Sequence, residues 1–169
     1  MIKIFLKQKI KKLAKDYVRT KRFRTFENIH EIIIFFNIEN LPEVEHFVET
    51  LILYGKKVRA YSFDKKKNKH QLPEIYHILT KDIFELNGIP KKQKLLAFTQ
   101  DYADTLIDLT INPSPVFQYL FLNAPADFRI GFNKGNAALY DLLIERNQDQ
   151  EFSFFLAQML FYMKSLRTK

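Results

Sequence analysis

The sequence predicts an α/β fold built on a single doubly wound, mostly parallel sheet, with an antiparallel edge strand and a basic N-terminal helix. Three observations carry this expectation. Residues 104–132 read as strand, helix and strand in immediate succession, a second set of the same kind occupies residues 31–63, and the excess positive charge is confined to residues 1–25. A chain of 169 residues, 47% of them hydrophobic, is long enough to bury a core and short enough to favour one globular domain. The formal charge of +8 divides unevenly. Residues 1–25 hold seven lysines and three arginines against Asp16, a net +9, and leave the rest of the chain at −1. The expected division is therefore a basic amphipathic arm over residues 1–28 and a near-neutral α/β body over 29–169.

Taken in order, Ile2, Leu6, Ile10, Leu13 and Tyr17 recur at steps of four, four, three and four, which places them along one side of a helix, with Phe5 and Val18 beside them and lysines on the other faces. Such a helix suits RNA or an anionic membrane surface, or docks its apolar stripe on the protein's own body. Arg19-Thr-Lys-Arg-Phe-Arg-Thr-Phe26 continues the charge with interleaved aromatics, a composition fitted to phosphate contacts and base stacking. Lys7, Lys11, Lys12, Lys15, Arg19, Lys21, Arg22 and Arg24 are the candidate nucleic-acid-binding residues.

Glu31-Ile-Ile-Ile-Phe-Phe36 is a continuous apolar run and should be a central parallel strand covered on both faces. Asn40 and Glu43 have the spacing of a capping box, followed by a helical stripe from Leu41 to Ile52 that ends at Gly55. A strand over 57–63, a polar loop over 64–70, a third strand over 75–80 and a connector over 81–90 come next. Pro90 opens a short helix running to about Gln100. The strand at 104–111 is central, Pro113 and Pro115 break it and open a helix, and Phe128-Arg-Ile-Gly-Phe132 is the fifth strand. Only residues 133–137 then precede the run 138–145, a gap that predicts an antiparallel edge strand joined through Lys134-Gly-Asn136. Residues 152–166 form a helix that is apolar nearly all round. It packs on the sheet with help from the N-terminal helix, the preferred reading, or meets a second copy in a homodimer.

The absences narrow the chemistry. With no cysteine and four unpaired histidines, no metal site is expected. The four glycines write neither GxGxxG nor a P-loop, so common dinucleotide and NTP binding are disfavoured, and no cofactor and no catalytic residue is assigned. Lysines stud residues 1–25 where a signal peptide needs an apolar core, and no run spans a bilayer, so the expected compartment is the cytoplasm. In an open α/β sheet a ligand crevice lies beyond the carboxyl ends of the strands, here at Asn37, Glu39, Asp82, Asp108, Asn112 and Ser114. Asp108 stands out, since a strand covered on both faces places its carboxylate near the core. It reads first as a carboxylate satisfied by a neighbouring turn and second as a perturbed acid at a crevice.

Asp104-Thr-Leu-Ile-Asp-Leu-Thr110, then Asn123-Ala-Pro-Ala126 and Phe128-Arg-Ile-Gly-Phe132, resembles a stretch of about thirty residues in the N-terminal half of heptosyltransferase-like glycosyltransferases. The chain is similar over nearly its whole length to a family of short, uncharacterised bacterial Rossmann-like proteins with a basic N-terminal helix. They share Gly55-Lys-Lys-Val58 before the second strand and Tyr140-Asp-Leu-Leu-Ile144 near the end. The glycine-rich loop that follows the first strand in the transferases is replaced by Asn37-Ile-Glu-Asn40. The resemblance implies a Rossmann-like fold. The leading expectation is a non-catalytic protein whose arm meets RNA or a ribonucleoprotein such as the ribosome. The alternatives are a stand-alone glycosyltransferase-like half domain binding a sugar or nucleotide, and peripheral attachment to anionic membrane.

Overall fold

The computed structural model describes residues 2–64, 71–85, 89–112, 114–132 and 137–167. Residues 65–70 of the polar loop, residues 86–88 of the connector, Pro113 and the Lys134–Asn136 turn lie outside the described residues. The elements are α1 (Ile2–Lys15), β1 (Glu31–Phe35), α2 (Leu41–Leu53), β2 (Lys57–Phe63), β3 (Tyr76–Leu79), α3 (Lys92–Gln100), β4 (Ala103–Asp108), α4 (Pro115–Asn123), β5 (Ala126–Phe132), β6 (Leu142–Ile144) and α5 (Phe152–Ser165). Among the described residues the strands form one sheet in the order β3-β2-β1-β4-β5-β6, with every neighbouring pair parallel. This is a doubly wound sheet whose order reverses between β1 and β4.

β1 shows why its sequence is apolar without alternation. Ile32, Ile33, Ile34 and Phe35 are all fully buried. Ile32 and Ile34 face the core beneath α2 and α5, whereas Ile33 and Phe35 face the core beneath α3 and α4, so both sides of the strand are covered. α5 contributes Phe155, Leu156, Met159 and Met163 to the first of these cores, so it packs on the sheet as its apolar composition called for, beside α2 rather than with the expected help of α1, whose buried apolar residues pack on α4. Phe154, Phe161 and Tyr162 remain on its exposed side.

Local chemistry sets the helix ends. Ser114 accepts a hydrogen bond from the Phe117 amide and Pro115 stands in the first turn, so α4 starts as its sequence predicts. α2 ends at Gly55, whose φ of +77° is the left-handed conformation that glycine adopts freely; the Lys56 amide bonds to Leu51 O and the Gly55 amide to Ile52 O. The capping box expected at Asn40 is absent. A 3₁₀ turn, Ile38–Asn40, leads into α2, and the Asn40 side chain makes no capping bond. Pro90 likewise stands before α3 rather than within it: it bridges to Phe84, and the helix begins at Lys92.

The last strand corrects the antiparallel expectation. β6 runs parallel to β5, with Leu142 opposite Ile130, Gly131 opposite Leu143 and Phe132 opposite Ile144. A parallel crossover needs many residues when it must rewind a whole strand. Here β6 starts opposite the carboxyl half of β5, so Leu142 lies only two residues of rise, about 7 Å, back from the level of Phe132. Tyr140 completes the reversal against Gly131, where a Cβ would stand 2.4 Å from its ring.

Candidate nucleic-acid interface

α1 lies against α4. Leu6 and Ile10 are buried with Tyr119, and Leu13, Leu95, Leu122 and Ile89 close the contact, so the Leu6, Ile10 and Leu13 part of the apolar stripe is spent on the protein's own body, whereas Phe5 and Val18, expected beside it, are exposed, as is Ile4. The opposite face carries the lysines. Lys7, Lys11, Lys12 and Lys15 are exposed, as is Lys21 in the arm, and among the described residues none has a carboxylate within 4 Å. α1 holds no acidic residue. Lys9 stands 5.5 Å from the Tyr119 ring centroid, where its charge meets the ring's negative face.

The arginines have a different fate. β6 covers only the stretch from Ile130 to Phe132 of β5, and residues 17–25, without regular secondary structure, reach the uncovered half through bonds at Asp127. Arg19 donates from Nη2 to the Asp127 carbonyl and, at 2.7 Å, to Asp141 Oδ2. The Arg22 amide donates to Asp141 Oδ1 at 3.1 Å, and Arg24 Nη2 to Asp127 Oδ2 at 2.9 Å. Phe23 sets its ring 5.9 Å from that of Phe128. The arm thus shields a bare sheet edge. The Tyr102 hydroxyl and the Arg24 guanidinium both donate to the Asp127 carboxyl, and with the charge of Arg22 they hold it below the usual carboxylate range.

Arg129, in the middle of β5, is only 3% exposed. Its Nη1 and Nη2 donate to the carbonyls of Phe121 and Ala124 at 2.8 and 2.9 Å, capping the carboxyl end of α4, where a cation is electrostatically favoured. Its guanidinium lies 5.0 Å from the Tyr17 ring centroid and 4.7 Å from that of Phe121. Burial pulls it down to about 10, so it stays charged at neutral pH. Asp141 accepts the Arg129 amide at 2.8 Å as well as the two arm donors. Sequence reading missed Arg129, Asp127 and Asp141. The available signal was an arginine inside the apolar run Phe128-Arg-Ile-Gly-Phe132, because a charge in a covered strand requires partners.

At the other end of the sheet, Asn37 Oδ1 accepts the Ile111 amide at 2.6 Å, joining the loops after β1 and β4 at the point where the strand order reverses. Asp108 accepts from the Thr110 amide at 3.0 Å and hydroxyl at 2.6 Å, and from the Tyr140 hydroxyl at 2.8 Å. Burial, reinforced by the Asp108 charge, drives the Tyr140 phenol far above its ordinary value. Asp108 is therefore satisfied by the turn that follows it and by the residue preceding Asp141. Ser114 caps α4, and Glu39 and Asn112 are exposed. Asp82 accepts from Thr80 beyond β3, with β2 and β1 between it and β4.

A model of a family of unknown function, DUF6913, matches residues 3–166. The chain belongs to that family. No curated protein and no solved structure matches it. Family membership fits the parallel α/β architecture and assigns no activity. Among the described residues no helix is long and apolar enough to cross a membrane, and no three His, Asp or Glu side chains gather in a group that could hold a metal ion.

Proposed function

We propose that this protein is a non-catalytic RNA-binding protein that meets RNA or a ribonucleoprotein such as the ribosome through the outer face of α1. The reading is supported above all by the division of labour within the helix. Leu6 and Ile10 fix α1 to α4, while Lys7, Lys11 and Lys15 form one exposed row of cations with no carboxylate within 4 Å among the described residues, and Lys12 stands beside it. Four-residue spacing sets neighbouring lysines of that row about 6 Å apart along the axis, a rigid array suited to successive phosphates. Arg19 and Arg24 of the arm are committed to Asp141 and Asp127, so the α1 lysines carry the outward charge of the helix. Because the Leu6, Ile10 and Leu13 part of the apolar stripe is occupied, insertion of that stripe into a membrane would first require α1 to leave α4.

The test is RNA affinity as a function of salt. Four lysines neutralising four phosphates of a single strand give a log-log slope of about −3, and replacing Lys7, Lys11, Lys12 and Lys15 by Glu removes most of that slope and of the affinity. The purified protein should also carry nucleic acid that a high-salt wash releases, read from its ultraviolet absorbance ratio. A quadruple variant that is folded and binds RNA with unchanged slope would overturn the reading.

A further inference from the structure

We infer that the groove where the arm crosses the amino ends of β4 and β5 is a phosphate-binding site, distinct from the lysine row of α1. The groove has a volume of about 380 Å³ and is lined by Tyr17, Arg19, Arg22, Tyr102, Asp127 and Arg129 among others. Two buried donors on residues that line it have no hydrogen-bond partner among the described residues: Arg19 Nη1 and Arg129 Nε. Other nitrogens hold both side chains in place, Arg19 through Nη2 with Asp141 and the Asp127 carbonyl, Arg129 through Nη1 and Nη2 with the carbonyls of Phe121 and Ala124. Burying an N–H without an acceptor is costly, and an anion seated against these guanidiniums supplies the missing acceptors.

The charge balance agrees. Three arginines line the groove against the single carboxylate of Asp127, which is itself engaged by Arg24 at 2.9 Å and faces Arg22 at 3.6 Å. Adding Asp141, which pairs with Arg19, still leaves the site positive. The Arg22 side chain is 64% exposed, so it can turn toward a ligand without breaking the body. Tyr102 is half exposed, and its ring is held in place by the 2.9 Å bond from its hydroxyl to Asp127, giving a flat wall on which a base can stack beside the phosphate. The shared chemistry is a phosphate group, carried either by a free nucleotide or by an RNA backbone.

The experiment titrates the full chain, by calorimetry at low salt, with inorganic phosphate, adenosine monophosphate and a short single-stranded oligoribonucleotide. Wild type is compared with Arg22→Ala, Tyr102→Leu and Thr20→Glu, and each variant's melting is recorded. Thr20 is exposed on the groove rim, so Thr20→Glu places a negative charge there without touching the core and stands in should Arg22→Ala fail to fold. Saturable phosphate or nucleotide binding, weakened about tenfold by Arg22→Ala or Thr20→Glu, is the expected result. Stronger binding of the nucleotide than of phosphate, lost in Tyr102→Leu, identifies a free nucleotide as ligand. Binding of the oligonucleotide alone, weakened by the same variants, identifies the backbone. The inference fails if neither small probe binds up to about 10 mM and the groove variants leave oligonucleotide affinity unchanged. It fails equally if the small probes bind all variants as they bind wild type. Because the α1 lysines are intact in these variants, loss of the α1 contribution and loss of the groove are read separately.

Discussion

Asp141 has no exposed side-chain surface, and it accepts from the Arg19 guanidinium, the Arg22 amide and the Arg129 amide. Asp141→Ala would strand Arg19, itself 13% exposed, as a buried unpaired cation. We expect a loss of about 3 kcal/mol in chemical denaturation, in the range seen when one partner of a buried pair is removed. An Asp141→Ala protein as stable as wild type would mean that the arm is not held at this point. Asp127 makes a claim about pH. Its folded-state value is depressed by Tyr102, Arg24 and Arg22, so the stability it contributes is present above the unfolded value of about 3.9 and is lost as pH falls through the folded value. Comparing Asp127→Asn with wild type, the stability difference should be constant near neutrality and should shrink on acidification below about pH 5. A difference independent of pH would assign the effect to packing.

The elements divide into those the core cannot lose and one it can. Ile34 is fully buried in central β1, and Ile34→Asp places an unpaired charge between two covered faces, so that variant should not fold at all. Leu6 is equally well covered, at 5% exposed, but on a helix that packs outside α4. Undocking of α1 limits the damage, and Leu6→Asp should cost about 2 kcal/mol, the value of burying one leucine. Because the lysines stay on the chain, Leu6→Asp should weaken RNA binding far less than charge reversal of Lys7, Lys11, Lys12 and Lys15. Parallel denaturation and RNA titrations of the two variants measure both halves of the claim. A Leu6→Asp protein that melts like Ile34→Asp would make α1 an integral part of the core.

For the whole molecule, the sheet order places β1 and β4 at the centre and β3 and β6 at the edges, with the arm flanking the amino half of β5. Hydrogen exchange should follow this order, slowest in β1 and β4 and fastest in α1 and the outer strands. Deleting residues 1–25 removes the arm donors to Asp141 and exposes Tyr119 and the edge of β5. The truncated body should therefore keep its slow-exchanging centre while β5 and α4 gain exchange and the melting temperature falls. Unchanged exchange in β5 would show that the arm does not cover that edge.

By itself the sequence determined the class of fold and the order of the strands and helices, although the last strand is Leu142–Ile144 alone, since Ala137–Leu139 form a 3₁₀ turn where the run 138–145 suggests a strand. Unbroken apolar runs such as Glu31-Ile-Ile-Ile-Phe-Phe36 and the helical stripe of α2 are local signals, and burial on both faces of a central strand leaves such a run no other arrangement. The segregation of charge into residues 1–25 was equally legible, since composition needs no fold to be counted. Only the tertiary structure decided how that charge is used. It spends Arg19 and Arg24 on Asp141 and Asp127, more than a hundred residues away, and leaves the α1 lysines outward; ion pairing between distant positions leaves no periodic trace in the chain. The direction of β6 was likewise a tertiary matter. Strand polarity depends on the stagger against β5, and that stagger is fixed by Tyr140 seated over Gly131 and bonded to Asp108, contacts that a gap length between two apolar runs does not encode.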